Sequence, residues 1–220
     1  MRESCKILTV ARFQTRTSAL GPGSRAVIWF HGCSFNCPGC IAAEMNASTD
    51  FARVEAESLL NTVLAVSGIE GVTLSGGDPF DQDLSALTFL VEGIRAGGLS
   101  VMCYTGRTLE QLRTGAKAGV HQRVLAAIDV LIDGLYVDAL NDGSAWRGSS
   151  NQAIHFLTDR YAHLKSTIMD SRNRDVEVVL DKNAKLTITG IPPKGFMGRL
   201  ADELHIRGLT MSEQATEVAR

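Results

Sequence analysis

Apolar residues along the first two thirds of the chain fall into short runs separated by longer stretches of mixed character. Short apolar runs that are bounded by Gly or polar residues are typical of buried β-strands. They predict strands at Ile7–Phe13, Arg25–Phe30, Gly71–Ser75, Leu99–Tyr104 and Asp129–Asp133.

The stretches between these runs place apolar residues at helical spacing. Phe51–Val66 has a roughly helical apolar stripe and predicts one helix. A second helix follows Asp81, which can act as its N-cap, and it ends at Gly97. A third helix begins at Thr108, because Gln111 lies at the position that completes a capping box.

Strands that alternate with helices are typical of parallel βαβ units, so the sequence predicts an α/β fold. The pattern fits both a partial (β/α) barrel and a doubly wound open sheet. In either arrangement, ligand sites gather at the carboxyl ends of the parallel strands. The segments that follow Phe30, Ser75 and Tyr104 are therefore expected to meet at one mouth of the sheet.

The chain after residue 155 has a different pattern. Asp175–Leu180 and Lys185–Thr189 resemble strands and flank a polar turn, which predicts a β-hairpin. Gly195–Gly208 then predicts a short helix. We expect a core at residues 1–155 and a C-terminal extension at residues 156–220 that caps the core, docks a partner or binds substrate.

Composition and charge narrow the class of protein. The formal net charge is −2 over 220 residues, so the chain could bind nucleic acid only through a local patch of its surface. No apolar run has transmembrane length, and the first ten residues lack the basic-then-apolar order of a secretory signal. Five cysteines without an export signal indicate a reducing compartment. We expect a cytoplasmic protein that binds neither nucleic acid nor membrane.

The strongest chemical signal is a run of three cysteines, Cys33, Cys37 and Cys40, with the spacing C-x3-C-x2-C. Three thiols this close in sequence can bind one inorganic cluster, and three thiolates leave one metal position open for chemistry. Two other interpretations remain open. The cysteines could bind zinc with His31 as a fourth ligand, or they could be buried structural residues.

A Gly-Gly-Asp-Pro turn follows the strand predicted at Gly71–Ser75. Gly76 and Gly77 allow the main chain to approach a ligand closely. Asp78 offers a charged acceptor for an ammonium group, and Pro79 fixes φ. Together with the cysteines, this turn resembles the radical S-adenosylmethionine superfamily. Its members bind a [4Fe-4S] cluster at C-x3-C-x2-C and the methionine end of S-adenosylmethionine at G-G-E/D-P.

The segment Asp133–Gln152 narrows the resemblance. It begins D-G-L-Y, ends W-R-G-S-S-N-Q, and is similar to the activating enzymes of the anaerobic (class III) ribonucleotide reductase. The resemblance implies a partial (β/α) barrel of the radical SAM type, and the C-terminal β-hairpin plus helix is then an extension. Many superfamily members have an aromatic residue just before the third cysteine, against the adenine. Gly39 stands there, which leaves the adenine contact unassigned.

The resemblance also implies cofactor contacts outside the Gly-Gly-Asp-Pro turn. Thr105 follows a predicted strand within a Tyr-Thr-Gly motif of this family. Asp133 ends another strand and faces the cofactor ribose or the cluster, or else only caps a turn. Arg147 could bind the cofactor carboxylate bidentately. Alternatively, the Ser-Gly-Asn-rich segment around it forms a turn whose Ser150 or Asn151 caps a helix over Gln152–Tyr161.

The activity that the resemblance implies is reductive cleavage of S-adenosylmethionine to methionine and a 5′-deoxyadenosyl radical. This radical would generate a glycyl radical on a partner anaerobic ribonucleotide reductase. The electron would come from a flavodoxin- or ferredoxin-like donor. The same core could instead modify a peptide or a small molecule. A third hypothesis, from another class, is a non-enzymatic iron–sulfur or zinc-binding module.

Overall fold

The computed structural model describes residues 6–47 and 49–210, which build a mixed seven-stranded sheet and a separate hairpin. The strands are β1 Ile7–Thr17, β2 Arg25–Phe30, β3 Ala52–Glu55, β4 Gly71–Gly76, β5 Ser100–Thr105, β6 Val130–Asp133 and β7 Ala153–Phe156. Their order in the sheet is β3-β1-β2-β4-β5-β6-β7. The central strands β2, β4, β5 and β6 are parallel, whereas β1 pairs antiparallel with β2 and β3, and β7 pairs antiparallel with β6.

Four of the seven α-helices in the described ranges, the second to the fifth, pack on one face of this sheet. The helices are α1 Ala43–Ala47, α2 Ala56–Leu64, α3 Leu84–Ala96, α4 Leu109–Thr114, α5 Ala118–Ala126, α6 Lys165–Asp170 and α7 Phe196–Ile206. Apolar side chains from α2, α3 and α5 form one core with those from the strands, and Ile28, Leu74, Leu90 and Ile94 are fully buried there. This burial stabilises the sheet, because apolar surface of both the strands and the helices is removed from water.

The opposite face of the sheet is covered largely by the chain that follows β7. Val27 and Trp29 of β2 pack with Ile191 in one cluster. Met102 and Ile132 pack with Tyr161 in another. Central strands that are buried on both faces are typical of parallel sheets, and this accounts for their continuous apolar runs.

The separate hairpin consists of β8 Val176–Leu180 and β9 Leu186–Gly190, which pair antiparallel. It is joined to β1 through side chains. Thr189 Oγ1 donates to Gln14 Oε1 over 2.8 Å, and Thr17 Oγ1 donates to Glu177. The predicted hairpin and terminal helix are therefore confirmed, with bounds that differ by one or two residues. Cys5 and the last ten residues lie outside the described residues.

The α/β prediction is confirmed as a mixed α/β fold with a parallel-rich central sheet, but one predicted helix begins later than expected and another is wrong. The helix predicted at Phe51–Val66 forms only as α2, because its first residues, Ala52–Glu55, form β3 and pair with the edge of β1. Gln152–Tyr161 is not one helix, since Ala153–Phe156 pairs with the free edge of β6. In both cases hydrogen bonding at a sheet edge outweighs the local helical signal.

The N-cap of α3 also differs from the prediction. Asp83, rather than Asp81, caps α3 and accepts a hydrogen bond from Ala86 N at 2.8 Å. The predicted capping box of Thr108 and Gln111 is confirmed. Of the helices in the described ranges, none has the length and apolar character needed to cross a membrane.

Candidate functional site

Four segments leave the carboxyl ends of the four parallel strands. The cysteine loop (residues 31–42) follows β2, and the GGDP turn (residues 76–79) follows β4. Thr105 ends β5 and Gly106 follows it, and the mouth loop (residues 134–152) connects β6 to β7. Because parallel strands share one direction, all four segments lie at the same end of the sheet, where the parallel strands have their carboxyl ends. The predicted convergence of three motifs at one mouth is thus confirmed, and the mouth loop joins them.

Main-chain hydrogen bonds join the GGDP turn to the start of the cysteine loop. Gly77 N donates to Phe30 O over 2.7 Å, and Asp78 N donates to Gly32 O over 3.0 Å. A Cβ on Gly77 would lie 2.1 Å from Gly32 O, so a larger residue does not fit. Gly76 has a φ of +87°, which favours glycine. The two glycines therefore permit the close approach of the turn to the loop.

The carboxylate of Asp78 connects the GGDP turn to the end of β5. It accepts hydrogen bonds from Phe80 N at 2.8 Å, Thr105 Oγ1 at 2.9 Å and Gly106 N at 2.9 Å. The residue is only 3% exposed, and burial raises the pKa of Asp78 above its ordinary value, against the opposing effects of Gly106 N and the Arg107 charge. Asp78 thus fixes the turn, and its oxygens are already hydrogen-bonded within the protein.

Arg107 connects the same turn to the cysteine loop. Its Nη2 donates to Asp81 Oδ1 over 2.6 Å, and its Nη1 lies 3.3 Å from Asp78 Oδ1. Its guanidinium also lies 5.0 Å from the centre of the Phe35 ring. Asp81 in turn accepts from Ser34 N at 2.7 Å. The sequence analysis missed Arg107, although its position two residues after Thr105 at a strand end was a usable signal.

The three cysteines are free, partly exposed thiols on the cysteine loop. Cys40 N donates to Cys37 O over 3.1 Å, which closes a tight turn between these two residues. Burial raises the pKa of Cys40, and the neighbouring Cys37 and Cys33 add to this effect. All three thiols thus lie on one short loop.

Within residues 6–47 and 49–210, no three His, Cys, Asp or Glu side chains are grouped as metal ligands. The donor set nevertheless fits an iron–sulfur cluster, since three soft thiols share one loop with little secondary structure. The imidazole of His31 stacks on Phe51, with 3.9 Å between ring centroids. The alternative zinc ligand is thus packed against an aromatic ring.

Asp133 and Arg147 lie at the two ends of the mouth loop. Asp133 accepts a hydrogen bond from Leu109 N at the start of α4, and its Oδ2 lies 3.0 Å from His155 Nε2. Arg147 Nη1 donates to Gln152 O over 3.1 Å. Among the described residues, its buried Nε has no hydrogen-bond partner. The contacts of both residues are therefore with the loop and its neighbours, and not with the GGDP turn.

The mouth loop itself touches the other segments. A Cβ on Gly39 would lie 3.4 Å from Asp138 Cβ, and one on Gly106 would lie 3.1 Å from Leu135. Gly39 is the position where the resemblance expects an aromatic residue, and Asp138 lies against it here. The mouth loop thus forms one wall beside the cysteine loop.

A cavity of about 590 Å³ opens beside the start of the cysteine loop. Thr9, Gly32, Arg53 and Gln82 are among the residues that line it. Gln82 Oε1 accepts from Thr9 Oγ1 at 2.8 Å, so part of the wall is held by hydrogen bonds. The cavity gives a small molecule access to this side of the loop.

Comparison with known proteins agrees with the cysteine chemistry. Residues 19–155 match the model of a family described as a 4Fe-4S single cluster domain. This range contains all the predicted site residues and leaves the C-terminal extension outside.

Curated relatives cover nearly the same part of the chain. The anaerobic ribonucleoside-triphosphate reductase-activating protein of Escherichia coli K12 is 34% identical over 145 residues, which is 62% of this chain and 91% of the relative. The protein with the same name from Salmonella typhi is 35% identical over 146 residues, with the same coverage. That of Enterobacteria phage T4 is 34% identical over 148 residues, or 63% of this chain and 88% of the relative. With its 4Fe-4S single cluster domain, the chain belongs to the family of the anaerobic ribonucleoside-triphosphate reductase-activating proteins.

Proposed function

We propose that this protein is a radical S-adenosylmethionine enzyme that generates a glycyl radical on an anaerobic ribonucleotide reductase. The observation that carries the proposal is the direct hydrogen bonding of the GGDP turn to the cysteine loop through Gly77 N and Asp78 N. This bonding brings a loop of three free thiols next to a glycine-rich turn that a ligand can approach. The names of the relatives supply the partner.

We infer that the core, residues 1–155, is a partial (β/α) barrel of the radical SAM type. The four adjacent parallel strands, with their ligand-facing segments at one edge, support this arrangement. From the extension, residues 156–220, Tyr161 and Ile191 then pack on the face of the sheet opposite α2, α3 and α5.

In this proposal Cys33, Cys37 and Cys40 hold a [4Fe-4S] cluster. The chemistry that the bound cluster supplies is one electron for cleavage of S-adenosylmethionine to methionine and a 5′-deoxyadenosyl radical. The protein positions the cluster and S-adenosylmethionine and excludes water from them. An external electron, from a flavodoxin- or ferredoxin-like donor, is required for each cleavage event.

The GGDP turn binds the methionine end of S-adenosylmethionine through its main chain. Gly76 and Gly77 let the turn lie directly against the main chain of Phe30 and Gly32, while Pro79 begins a buried turn that fixes the segment. Asp78 and Thr105 hold the turn in place through their mutual hydrogen bond. The site therefore presents peptide groups in a fixed geometry to an amino-acid ligand.

Asp133 and Arg147 contribute to the site from the mouth loop. Asp133 fixes the start of α4 beside Thr105, its register partner on β5. Arg147 is only 8% exposed and keeps one donor unused among the described residues, so it can supply a charged hydrogen bond to the cofactor carboxylate.

The first experiment tests the cluster chemistry. Anaerobic reconstitution is expected to load about four irons per chain, and dithionite should then release 5′-deoxyadenosine from S-adenosylmethionine. Cys37→Ala should lose both properties. Cys103→Ala is the matched control, because Cys103 is a buried thiol of the sheet core and should leave iron content unchanged. A wild-type protein that holds one zinc and leaves S-adenosylmethionine intact would contradict the proposal.

The second experiment tests the partner. The reduced enzyme, S-adenosylmethionine and the anaerobic reductase of the same organism should together give a glycyl-radical doublet in electron paramagnetic resonance. Deuterium on the target glycine should appear in 5′-deoxyadenosine. If cleavage occurs but deuterium does not transfer, the radical chemistry stands and the substrate is a peptide or a small molecule instead.

A further inference from the structure

A short segment of the C-terminal extension, the strap (residues 171–174), runs along the mouth loop. Ala145 N donates to Ser171 O over 3.0 Å, and Arg172 Nε lies 3.5 Å from Asp142 Oδ2. The strap lies outside the family match at residues 19–155. The extension thus contacts the mouth loop directly.

Arg174 makes the densest contact between the strap and the mouth loop. Its Nε donates to Ser144 O over 3.0 Å, and its Nη1 donates to Asn141 Oδ1 over 2.8 Å. Its Nη2 donates to Arg147 O over 2.6 Å and to Gly148 O over 3.1 Å. One guanidinium thus joins four acceptors that are spread over eight consecutive residues, from 141 to 148.

Only arginine can make this set of bonds. Its planar guanidinium presents donors in a fixed fork, whereas a lysine ammonium is a single point of donation. Three of the four acceptors are main-chain carbonyl oxygens, in a part of the mouth loop that lies between a 3-10 helix and β7. A single side chain therefore helps to hold a segment that regular secondary structure does not hold.

The extension also reaches the other end of the mouth loop. Lys194 Nζ donates to Asp138 Oδ2 over 2.9 Å, and Asp138 lies against Gly39 of the cysteine loop. The side chains of Lys194 and Asp138 are each about half exposed, so their ion pair is weaker than the Arg174 contacts. The wall of the mouth beside the cysteine loop is thus held from the extension at two places.

We propose that Arg174 is a positioning residue for the mouth loop and, through that loop, for S-adenosylmethionine. This inference rests on the proposed function. The extension then completes the cofactor site of this chain and is not a passive appendage. The effect is indirect, since Arg174 bonds to the loop and not to a ligand.

The test compares Arg174→Ala, Arg174→Lys and the control Arg207→Ala in the full-length, reconstituted protein. Arg207 is a matched arginine of the extension that is 73% exposed and has one long ion pair with Glu203. Without the four hydrogen bonds, KM for S-adenosylmethionine should rise about tenfold in Arg174→Ala while kcat stays within about twofold. Arg174→Lys should behave like Arg174→Ala, and the control should match the wild type.

Two further measurements separate positioning from general damage. Hydrogen exchange at the Ala145 amide should speed up at least tenfold in Arg174→Ala without cofactor, while β4 and β5 stay protected. Guanidinium ion at low millimolar concentration should lower KM for Arg174→Ala, but sodium chloride at the same concentration should not. If Arg174→Ala does not fold, Arg174→Lys takes its place in the exchange and KM measurements.

The outcomes are distinct for the two proposals. An active wild type whose Arg174 variants keep the wild-type KM and exchange rates overturns the role of Arg174 alone. An equal fall of kcat in all Arg174 variants, without a change in KM, also overturns it. A wild type that does not cleave S-adenosylmethionine removes the proposed function, whatever the exchange rates of the variants show.

Discussion

At the scale of single residues, the structure gives Asp78 a role beside the one that the sequence predicts. The sequence suggested a carboxylate that contacts the ammonium group of a ligand. In the structure its oxygens accept bonds from Phe80 N, Thr105 Oγ1 and Gly106 N. These hydrogen bonds favour the charged carboxylate, whereas burial has the larger effect and raises the pKa of Asp78. Asp78 therefore holds the GGDP turn, and its contact with an ammonium group stays a prediction.

The replacement Asp78→Asn tests this role. An amide offers one acceptor oxygen where the carboxylate has two, so the free energy of unfolding should fall by about 1–3 kcal/mol in urea titrations. Combined with Thr105→Val, the loss should be non-additive, because the two side chains share a hydrogen bond. Asp202→Asn, on the exposed side of α7, is the control and should change stability by less than about 0.5 kcal/mol. Weaker binding of S-adenosylmethionine with unchanged stability would instead indicate a direct contact between Asp78 and the ligand.

Residue-level prediction from sequence found the segments that meet at the mouth where a motif is local, and the roles of their residues stay predictions. The cysteines and the GGDP turn are contiguous, so their spacing is visible without a fold. The position of Arg107 at a strand end was visible in the sequence, but its contacts and those of Arg174 were not, because each bonds to segments that are 26 or more residues away. Such contacts depend on strand order, which apolar runs alone do not determine.

At the scale of elements, the contact between the GGDP turn and the cysteine loop depends on the absence of a side chain. A Cβ on Gly77 would lie 2.1 Å from Gly32 O and 2.7 Å from Gly32 C. Both atoms belong to the main chain and cannot rotate away. The loop that carries the cysteines would have to move.

Gly77→Ala is therefore expected to lower the iron content of the reconstituted protein to less than about half, because a displaced loop holds the cluster poorly. Iron analysis and the visible absorption spectrum measure this loss. Gly198→Ala is the control, since a Cβ in the middle of α7 meets no atom within 4 Å. It should leave the iron content unchanged and stabilise the fold slightly. Full iron loading of Gly77→Ala would show that the loop adapts to the turn.

Element prediction succeeded for the central strands and failed at the sheet edges. Arg25–Phe30 was predicted with the observed bounds because all of its residues are buried and apolar or paired. β3 and β7 were missed, since each is only four residues long and pairs with a single neighbour. Short edge strands have weak local patterns and form only once the adjacent strand is in place.

At the scale of the whole molecule, the extension shares a core with the sheet. Ile191 is 8% exposed and packs with Val27 and Trp29 of β2. Tyr161 joins Met102 and Ile132 in a second cluster. The division at residue 155 was predicted from a change of pattern along the chain, and it stays a prediction. Shared clusters favour joint unfolding of the two parts.

The replacement Ile191→Ala tests whether the extension and the sheet unfold together. It removes three methylene-sized groups from a cluster that spans both parts, so the free energy of unfolding should fall by about 2–4 kcal/mol. Far-ultraviolet circular dichroism and tryptophan fluorescence should report a single shared transition at lower urea, because Trp29 lies in the same cluster. Leu180→Ala is the control, since Leu180 at the hairpin end is 62% exposed and its loss should change stability by less than about 0.5 kcal/mol. Two separate transitions, with only the smaller one shifted by Ile191→Ala, would instead make the extension an independent unit. The packing of Ile191 on Trp29 would then contribute little to the stability of the sheet that carries the cysteine loop.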